Sequence, residues 1–234
     1  MAWRCTGSSN EELLTNMKAV GIIRSSRVLE AMKLVDRANY VPSVTRRHAY
    51  QDAPQSIGYN ATISAPHMHA FAAEILLPYL SQGCSVMDVG SGSGYLLATL
   101  HHLLPPSDRK THIVGVEHIQ ELVSASIENL KRDGLERELG NGRIVAMQGD
   151  GRKGCPEFAP YSAIHVGAAA PCIPETLVQQ LASPGRLIVP VDRPTSNYQD
   201  LYQIDKSVDG KVEKKILFGV MYVPLTNAEE QWSK

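Results

Sequence analysis

The chain reads as a doubly wound α/β fold, a mostly parallel sheet with helices on both faces, and three observations predict it. The run Val86-Met87-Asp88-Val89 leads directly into Gly90-Ser91-Gly92-Ser93-Gly94 and then an apolar helical stretch. Strand, glycine turn and helix in that order make a nucleotide-type pocket, because the glycines permit close backbone approach and the helix start presents free N–H groups. Beyond this turn, short apolar runs and helical patterns alternate, as in βα units covered on both faces. The runs end at Gly90, Glu117 and Asp150, and such sheets hold their ligands at the carboxyl ends of their strands.

The turn is spaced G-x-G-x-G, which separates it from the dinucleotide G-x-G-x-x-G, and no lysine follows as a P-loop requires. Neither Ser91 nor Ser93 has glycine two residues before and two after, so a hydrolase nucleophile elbow is excluded as well. Asp88 opens the turn, and Glu117 ends the next run, His112-Ile113-Val114-Gly115-Val116-Glu117. Two carboxylates so placed point to a ligand with ribose hydroxyls, whose donors a carboxylate accepts.

Hydrophobic residues at 43% and charged residues at 20% of 234 describe an ordinary globular protein, read as one domain over 1–234. With a net charge of −1 there is no electrostatic footprint for nucleic acid or an anionic membrane. Cys5, Cys84, Cys155 and Cys172 form no C-x-x-C pair, so neither a zinc ribbon nor a disulfide framework is indicated. No apolar run is long enough to cross a bilayer and residues 1–4 lack a signal-peptide core, so a cytoplasmic location is expected.

In chain order, residues 9–12 have capping-box spacing before Leu13, Leu14, Met17 and Val20, and this first helix ends at Gly21. Ser26 is placed to cap a second helix bearing Val28, Leu29, Met32 and Val35, which residues 39–42 stop. Residues 43–60 are irregular, with the basic run Arg46-Arg47-His48 read as a solvated loop. Pro66 then opens a helix carrying Ala70, Ala73, Leu76, Leu77 and Leu80, which brings Thr62 or Ser64 to a helix N-terminus that favours anions. His67 and His69, two apart, face different directions on a helix, so no metal site is expected and a histidine hydrogen-bonding near a ligand is the better reading.

After the glycine turn come a helix over about 95–104, a strand to Glu117, a helix through Leu122, Val123, Ile127 and Leu130, and strands at 144–147 and 163–166. A helix near 177–181 and a strand at 186–189 complete the parallel part. Residues 199–204, the turn Asp209-Gly210 and 212–223 read as an antiparallel addition, followed by a polar tail from Thr226. The organisation expected is a helical cap at 9–60, a cofactor-binding core at 61–191, and antiparallel strands with a tail at 192–234.

These features, with Gly149-Asp150-Gly151-Arg152, make the chain resemble the protein-L-isoaspartate (D-aspartate) O-methyltransferases along nearly its full length. Also carrying the resemblance are Met1-Ala2-Trp3, Asp52-Ala53-Pro54-Gln55-Ser56-Ile57-Gly58 and the stretches at 186–190 and 219–226. The most specific stretches are Thr62-Ile63-Ser64-Ala65-Pro66-His67-Met68-His69 and Ile164-His165-Val166-Gly167-Ala168-Ala169-Ala170-Pro171. The resemblance implies a Rossmann-like class I S-adenosylmethionine-dependent methyltransferase with a seven-stranded, mostly parallel sheet and antiparallel C-terminal strands, one of them reversed. It implies methylation of the free α-carboxyl of L-isoaspartyl residues, and more weakly of D-aspartyl residues, in damaged proteins, with S-adenosyl-L-homocysteine as product. The ester then closes to a succinimide with loss of methanol, and hydrolysis of the ring returns some normal aspartate.

The resemblance places the cofactor against Ala61, Thr62, Ile63 and Ser64 with His69 nearby, over Gly90, Gly92, Ser93 and Gly94, with Glu117 at the ribose, Asp150 and Gly151 at the adenine, and His118 also among the cofactor-binding residues. Thr226 and Gln231 match tail positions that close over the site. Ser64 is the expected catalytic residue, orienting the substrate carboxylate by hydrogen bonding, because an ionised carboxylate needs no general base. The small apolar run Val166, Gly167, Ala168 and onward offers a surface for an extended peptide, so a bulky residue at 168 is expected to raise peptide KM alone.

Two departures from the family stand at 43–49, which is longer than in relatives, and at 191–196, where a glycine-rich turn is usual. A nicotinamide-dependent reductase lacks support in the glycine spacing. A non-catalytic methyltransferase-like binding module is the alternative to the enzyme, and a monomer is expected.

Overall fold

The computed structural model describes residues 5–81, 83–105, 111–194, 196 and 198–232, so Met1-Ala2-Trp3 lies outside the described residues. Helix α1 (Asn10–Ala19) is capped by Ser9, whose Oγ accepts the Glu12 N–H at 3.2 Å. The reciprocal contact goes to Ser8 rather than to the cap, with its N–H 2.6 Å from Glu12 Oε2. Helix α2 (Ser26–Lys33) is capped by Ser25, not Ser26, since the Ser25 Oγ accepts the Arg27 N–H. Helix α3 (Pro66–Leu76) has Pro66 at its first turn, where a missing N–H has no cost, and its cap is Ala65.

Ahead of α3, the stretch read as irregular forms a hairpin of β1 (Gln55–Gly58) with β2 (Ala61–Ile63), in antiparallel register Gln55 to Ile63. Its turn residues Tyr59 and Asn60 have φ of 51° and 55°, the double left-handed geometry that matches hairpin twist and that Asn-Gly usually signals. Thr62 therefore lies in a strand rather than at a helix start.

Seven strands form the main sheet: β3 (Ser85–Val89), β4 (Ile113–Glu117), β5 (Ile144–Gln148), β6 (Tyr161–Val166), β7 (Leu181–Asp192), β8 (Gln199–Lys206) and β9 (Val212–Val220). Their spatial order is β5-β4-β3-β6-β7-β8-β9. The first five of the chain run parallel, β8 is antiparallel to both neighbours, and β9 is thereby returned to the common direction. The chain winds one way from β3 through β5 and the other way from β6 onward, so the β3/β6 junction is the topological switch point, where a crevice opens.

Helices α4 (Tyr95–Leu103), α5 (Gln120–Arg132), α6 (Glu136–Gly140) and α7 (Glu175–Gln179) connect the strands, and α8 (Ala228–Gln231) lies in the tail. Alternate strand residues feed two cores. Val86, Ile113 and Ile188 pack with Leu13, Met17, Leu76 and Leu97, while Met87, Val114, Ile164 and Val189 pack with Leu177 and Val178. Burial on both faces is what made the strands read as continuous apolar runs. Strand β7 outruns its predicted 186–189 because Pro184 and Pro190 interrupt the pattern without ending the ladder.

Candidate active site at the sheet switch point

Beyond β3 the backbone turns through Gly90 and Gly92, at φ of +73° and +49°, before α4 begins. Beyond β6, the Gly167 N–H donates to Val89 O at 2.8 Å, tying the two strand ends together beneath a cleft. The cleft is lined by Ala61 and Thr62 of the hairpin, Gly90, Gly92, Glu117, His118, Gly151, Gly167 and Ala168, and by Thr226 and Gln231 of the tail. Val116, Val223, Pro224 and Leu225 complete the lining, and residue-by-residue reading had missed them.

Glu117 is 6% exposed, and its carboxylate holds the turn: Oε2 accepts the Gly92 N–H at 3.2 Å and Oε1 the Ile119 N–H at 3.1 Å. A carboxylate has about four acceptor positions, so roughly two remain for a diol. His118 Nε2 donates to Gln231 Oε1 at 2.8 Å, and Gln231 Nε2 donates to Tyr59 O at 3.0 Å. Asn60 Nδ2 donates to Gln231 O at 2.8 Å, and the Trp232 ring packs edge-on against Tyr59. Tail and hairpin thus meet across the cleft mouth.

Asp150 accepts from the Arg152 backbone N–H at 3.0 Å and from its guanidinium at 2.9 and 3.0 Å. That pairing holds its carboxyl below the usual carboxylate range. The flat floor beside it requires Gly151, where an added Cβ would stand 2.5 Å from Val89 Cγ1. The donor set therefore fits a nucleoside: a buried carboxylate for a diol, a bare glycine turn, and a flat glycine floor.

The remaining residues singled out from the sequence lie behind this lining. Ser93 and Gly94 face α5, since Asn129 Nδ2 donates to Ser93 O at 3.0 Å and a Cβ on Gly94 would lie 3.2 Å from Ser126 Cβ. Ile63 packs into the larger core. Ser64 is half-buried, and its carbonyl accepts Arg37 Nη2 at 2.8 Å. Arg37 is fully buried, and burial lowers its guanidinium to about 10, which leaves it charged near neutral pH. His69 stands with Nδ1 3.4 Å from Arg37 Nη1 and its ring against Tyr95. Burial first, then Arg37, drives its imidazole well below its ordinary pKa, so the neutral ring accepts at Nδ1.

One expectation is corrected here. Asp88 does not face a ribose position: 2% exposed, its Oδ1 lies 2.6 Å from His165 Nδ1, its register partner across β3 and β6. In the run 166–170, Val166 is buried and the Ala169 N–H and C=O are taken by Val223 O at 2.8 Å and Leu225 N at 2.7 Å, while Gly167 and Ala168 line the cleft. Ala168 lines the same cleft as Glu117, so bulk there reaches the cofactor space as well as any peptide. His67 pairs with Asp52 at 2.7 Å, and among the described residues no three His, Cys, Asp or Glu side chains are grouped to hold a metal. Among those residues, no helix is long and apolar enough to cross a membrane.

A family model described as protein-L-isoaspartate(D-aspartate) O-methyltransferase matches residues 8–230. A Caenorhabditis elegans protein-L-isoaspartate O-methyltransferase is 47% identical over 234 residues, the whole of both chains. Protein-L-isoaspartate O-methyltransferase 1 of Arabidopsis thaliana is 46% identical over 224 residues, 96% of this chain and 94% of that one. Among solved structures, a Plasmodium falciparum chain described as a protein-L-isoaspartate O-methyltransferase, in complex with S-adenosyl-L-homocysteine, superposes with a TM-score of 0.85 at 34% identity, covering 94% of this chain and 99% of that one. The match to the family model and the full-length relatives agree with the cleft at the β3/β6 junction, and the chain belongs to the protein-L-isoaspartate (D-aspartate) O-methyltransferase family.

Proposed function

We propose that this protein methylates the free α-carboxyl of L-isoaspartyl residues, and more weakly of D-aspartyl residues, in damaged proteins and peptides, and so initiates their repair. The observation that carries this reading is the cleft itself, where the glycine turn, the Glu117 carboxylate and the hairpin leading to Ser64 converge in a member of this family. S-adenosyl-L-methionine, when bound there, supplies an electrophilic sulfonium methyl group and leaves as S-adenosyl-L-homocysteine. Glu117 accepts from the ribose hydroxyls, Asp150 and Gly151 meet the adenine edge, and Gly90 and Gly92 leave room for the amino-acid arm.

The substrate carboxylate is already ionised near neutral pH, so the protein's task is positioning rather than proton removal. Ser64 orients that carboxylate by donating a hydrogen bond, and Gln231, bridging His118 and Tyr59, closes the mouth against water. Gly167 and Ala168 border the substrate side. The chain works as one unit, with residues 9–60 as cap and 192–234 as strands and tail, and acts as a cytoplasmic monomer with neither a nucleic-acid nor a membrane partner.

The test is methyl transfer from labelled S-adenosyl-L-methionine to two peptides that differ only in L-isoaspartyl against normal L-aspartyl. Base-labile label on the isoaspartyl peptide alone is the expected result. Cofactor binding with no label on either peptide overturns the enzyme in favour of a binding module.

A further inference from the structure

The Ser64 carbonyl sits where the chain passes from strand to helix, and neither ladder holds it. Strand β2 ends its pairing at Ile63, opposite Gln55, and helix α3 takes its first carbonyl from Ala65, whose oxygen accepts the Met68 N–H at 2.9 Å. Side chains from the N-terminal cap hold this junction instead. Arg37 Nη2 donates to the Ser64 carbonyl at 2.8 Å. Asp52 Oδ1 accepts the His67 N–H at 3.1 Å and lies 2.7 Å from His67 Nδ1, and so caps α3, whose own cap residue Ala65 makes no side-chain cap bond. Arg37 does not line the cleft, so it acts from behind Ser64.

Arg37 is itself held in place. Its guanidinium lies with Nη1 3.4 Å from His69 Nδ1 and Cζ 5.6 Å from the centre of the Tyr95 ring, and the side chain is fully buried. Yet no ion pair among the described residues includes it, its Nε has no hydrogen-bond partner, and Asp52, whose charge reaches it, spends Oδ1 on His67. Burying a guanidinium on these terms costs stability, and an apolar side chain of similar volume fills such a space more cheaply. What Arg37 contributes is therefore what it holds. We propose that Arg37 is a positioning residue for methyl transfer: its guanidinium fixes the Ser64–Ala65 peptide plane, and with it the direction in which Ser64 presents its hydroxyl to the substrate carboxylate. The inference rests on the role given to Ser64 above. Because a peptide unit is planar and rigid, a held carbonyl sets the Ser64 ψ, while β2 restrains the residue from its other side. The planar fork of an arginine keeps that direction, which a lysine on its flexible stem does not. In-line transfer needs the reacting atoms aligned, so a small rotation of this plane is felt in kcat.

The experiment measures kcat and KM for an isoaspartyl peptide, together with calorimetric affinity for S-adenosyl-L-homocysteine, in the wild type, Arg37→Met, Ser64→Ala and the double variant. Arg37→Met removes the donors and fills much of the same space. About a tenfold loss in kcat/KM is expected, the scale of one charged hydrogen bond, carried by kcat, with S-adenosyl-L-homocysteine affinity within about threefold of wild type. The double variant should be no worse than Ser64→Ala alone, because Arg37 acts through that residue. Wild-type kinetics in Arg37→Met overturn the inference, as do losses that multiply in the double variant, which would mark a purely structural role. A loss confined to KM overturns it as well, since that marks the guanidinium as a counter-charge for the substrate. Should Arg37→Met fail to bind S-adenosyl-L-homocysteine, Arg37→Lys, which keeps the charge without the fork, must lower kcat with cofactor affinity retained. Wild-type kinetics there, or loss of binding in both variants, refute the inference. A wild type that leaves the peptide unmethylated overturns the functional reading instead, and an active Ser64→Ala with wild-type kinetics overturns the role of Ser64.

Discussion

Replacing Glu117 with glutamine keeps the size of the side chain and removes its charge, and the contacts of the carboxylate set the consequence. Both oxygens already accept backbone N–H groups, from Gly92 at 3.2 Å and Ile119 at 3.1 Å, in a residue 6% exposed. An amide oxygen can keep one of these, but the amide nitrogen then faces the other N–H, donor against donor. A hydrogen bond to a charged group is worth about 1.5–3 kcal/mol, so folding stability should fall by about that much. The larger effect falls on the cofactor. Of two charge-assisted bonds to a ribose diol, glutamine retains one neutral bond at best, a loss of about 2–4 kcal/mol, or ~30- to 1,000-fold in Kd. Isothermal calorimetry with S-adenosyl-L-homocysteine reads this directly, and a urea titration establishes the folded fraction. A folded Glu117→Gln protein that binds S-adenosyl-L-homocysteine within threefold of wild type would refute the assignment of Glu117 to the ribose and leave it as a clamp on the glycine turn.

Gln231→Ala breaks the bridge from His118 to Tyr59, two neutral hydrogen bonds at about 1 kcal/mol each, so S-adenosyl-L-homocysteine should dissociate about 10- to 30-fold faster in stopped flow, with a fall in folding stability of at most about 2 kcal/mol in a urea titration. Gly115→Ala puts a Cβ 2.6 Å from Leu97 Cδ1 and 2.9 Å from Ser91 Oγ, an overpacking that should cost about 1–3 kcal/mol in the urea midpoint. Stability should also fall with acid. Burial first, then His102 and Arg143, lowers His101 from 6.5 to about 4, and His69 lies well below its ordinary value too. Below pH ~6.5 the unfolded chain takes up protons that the folded chain refuses, so the loss begins there and grows toward pH ~4. Urea midpoints at pH 7.5, 6 and 5 check it, with a shallower decline expected for His101→Gln.

What the sequence determined by itself was local in origin. The strand, glycine turn and helix at 86–104 followed from glycine spacing and a change of apolar period, and Glu117 and Asp150 followed from their places at the ends of apolar runs. Backbone stereochemistry and side-chain period act over a few residues, so a short window contains them. Family resemblance carried the assignment of Thr226 and Gln231, which no periodicity in a polar tail would have picked out. The hairpin at 55–63 was illegible because Tyr-Asn stands in a left-handed turn where Asn-Gly is the usual sign, and its first strand is only half-buried.

The tertiary structure alone decided which groups meet. Asp88 and Glu117 are both acidic residues beside the glycine turn, yet one is joined to His165 across the sheet and the other faces the cleft. Gln231 reaches His118 and Tyr59 across 113 and 172 residues of chain. Ala169 gives its backbone bonds to 223–225, which sets the segment after β9 beside the cleft-lining Gly167 and Ala168. The Ser64 carbonyl is held by Arg37, 27 residues earlier in the sequence. In each case the partner was set by strand order and register, properties of how the chain winds back on itself, and an alternating pattern of apolar residues is the same whichever strand becomes the neighbour.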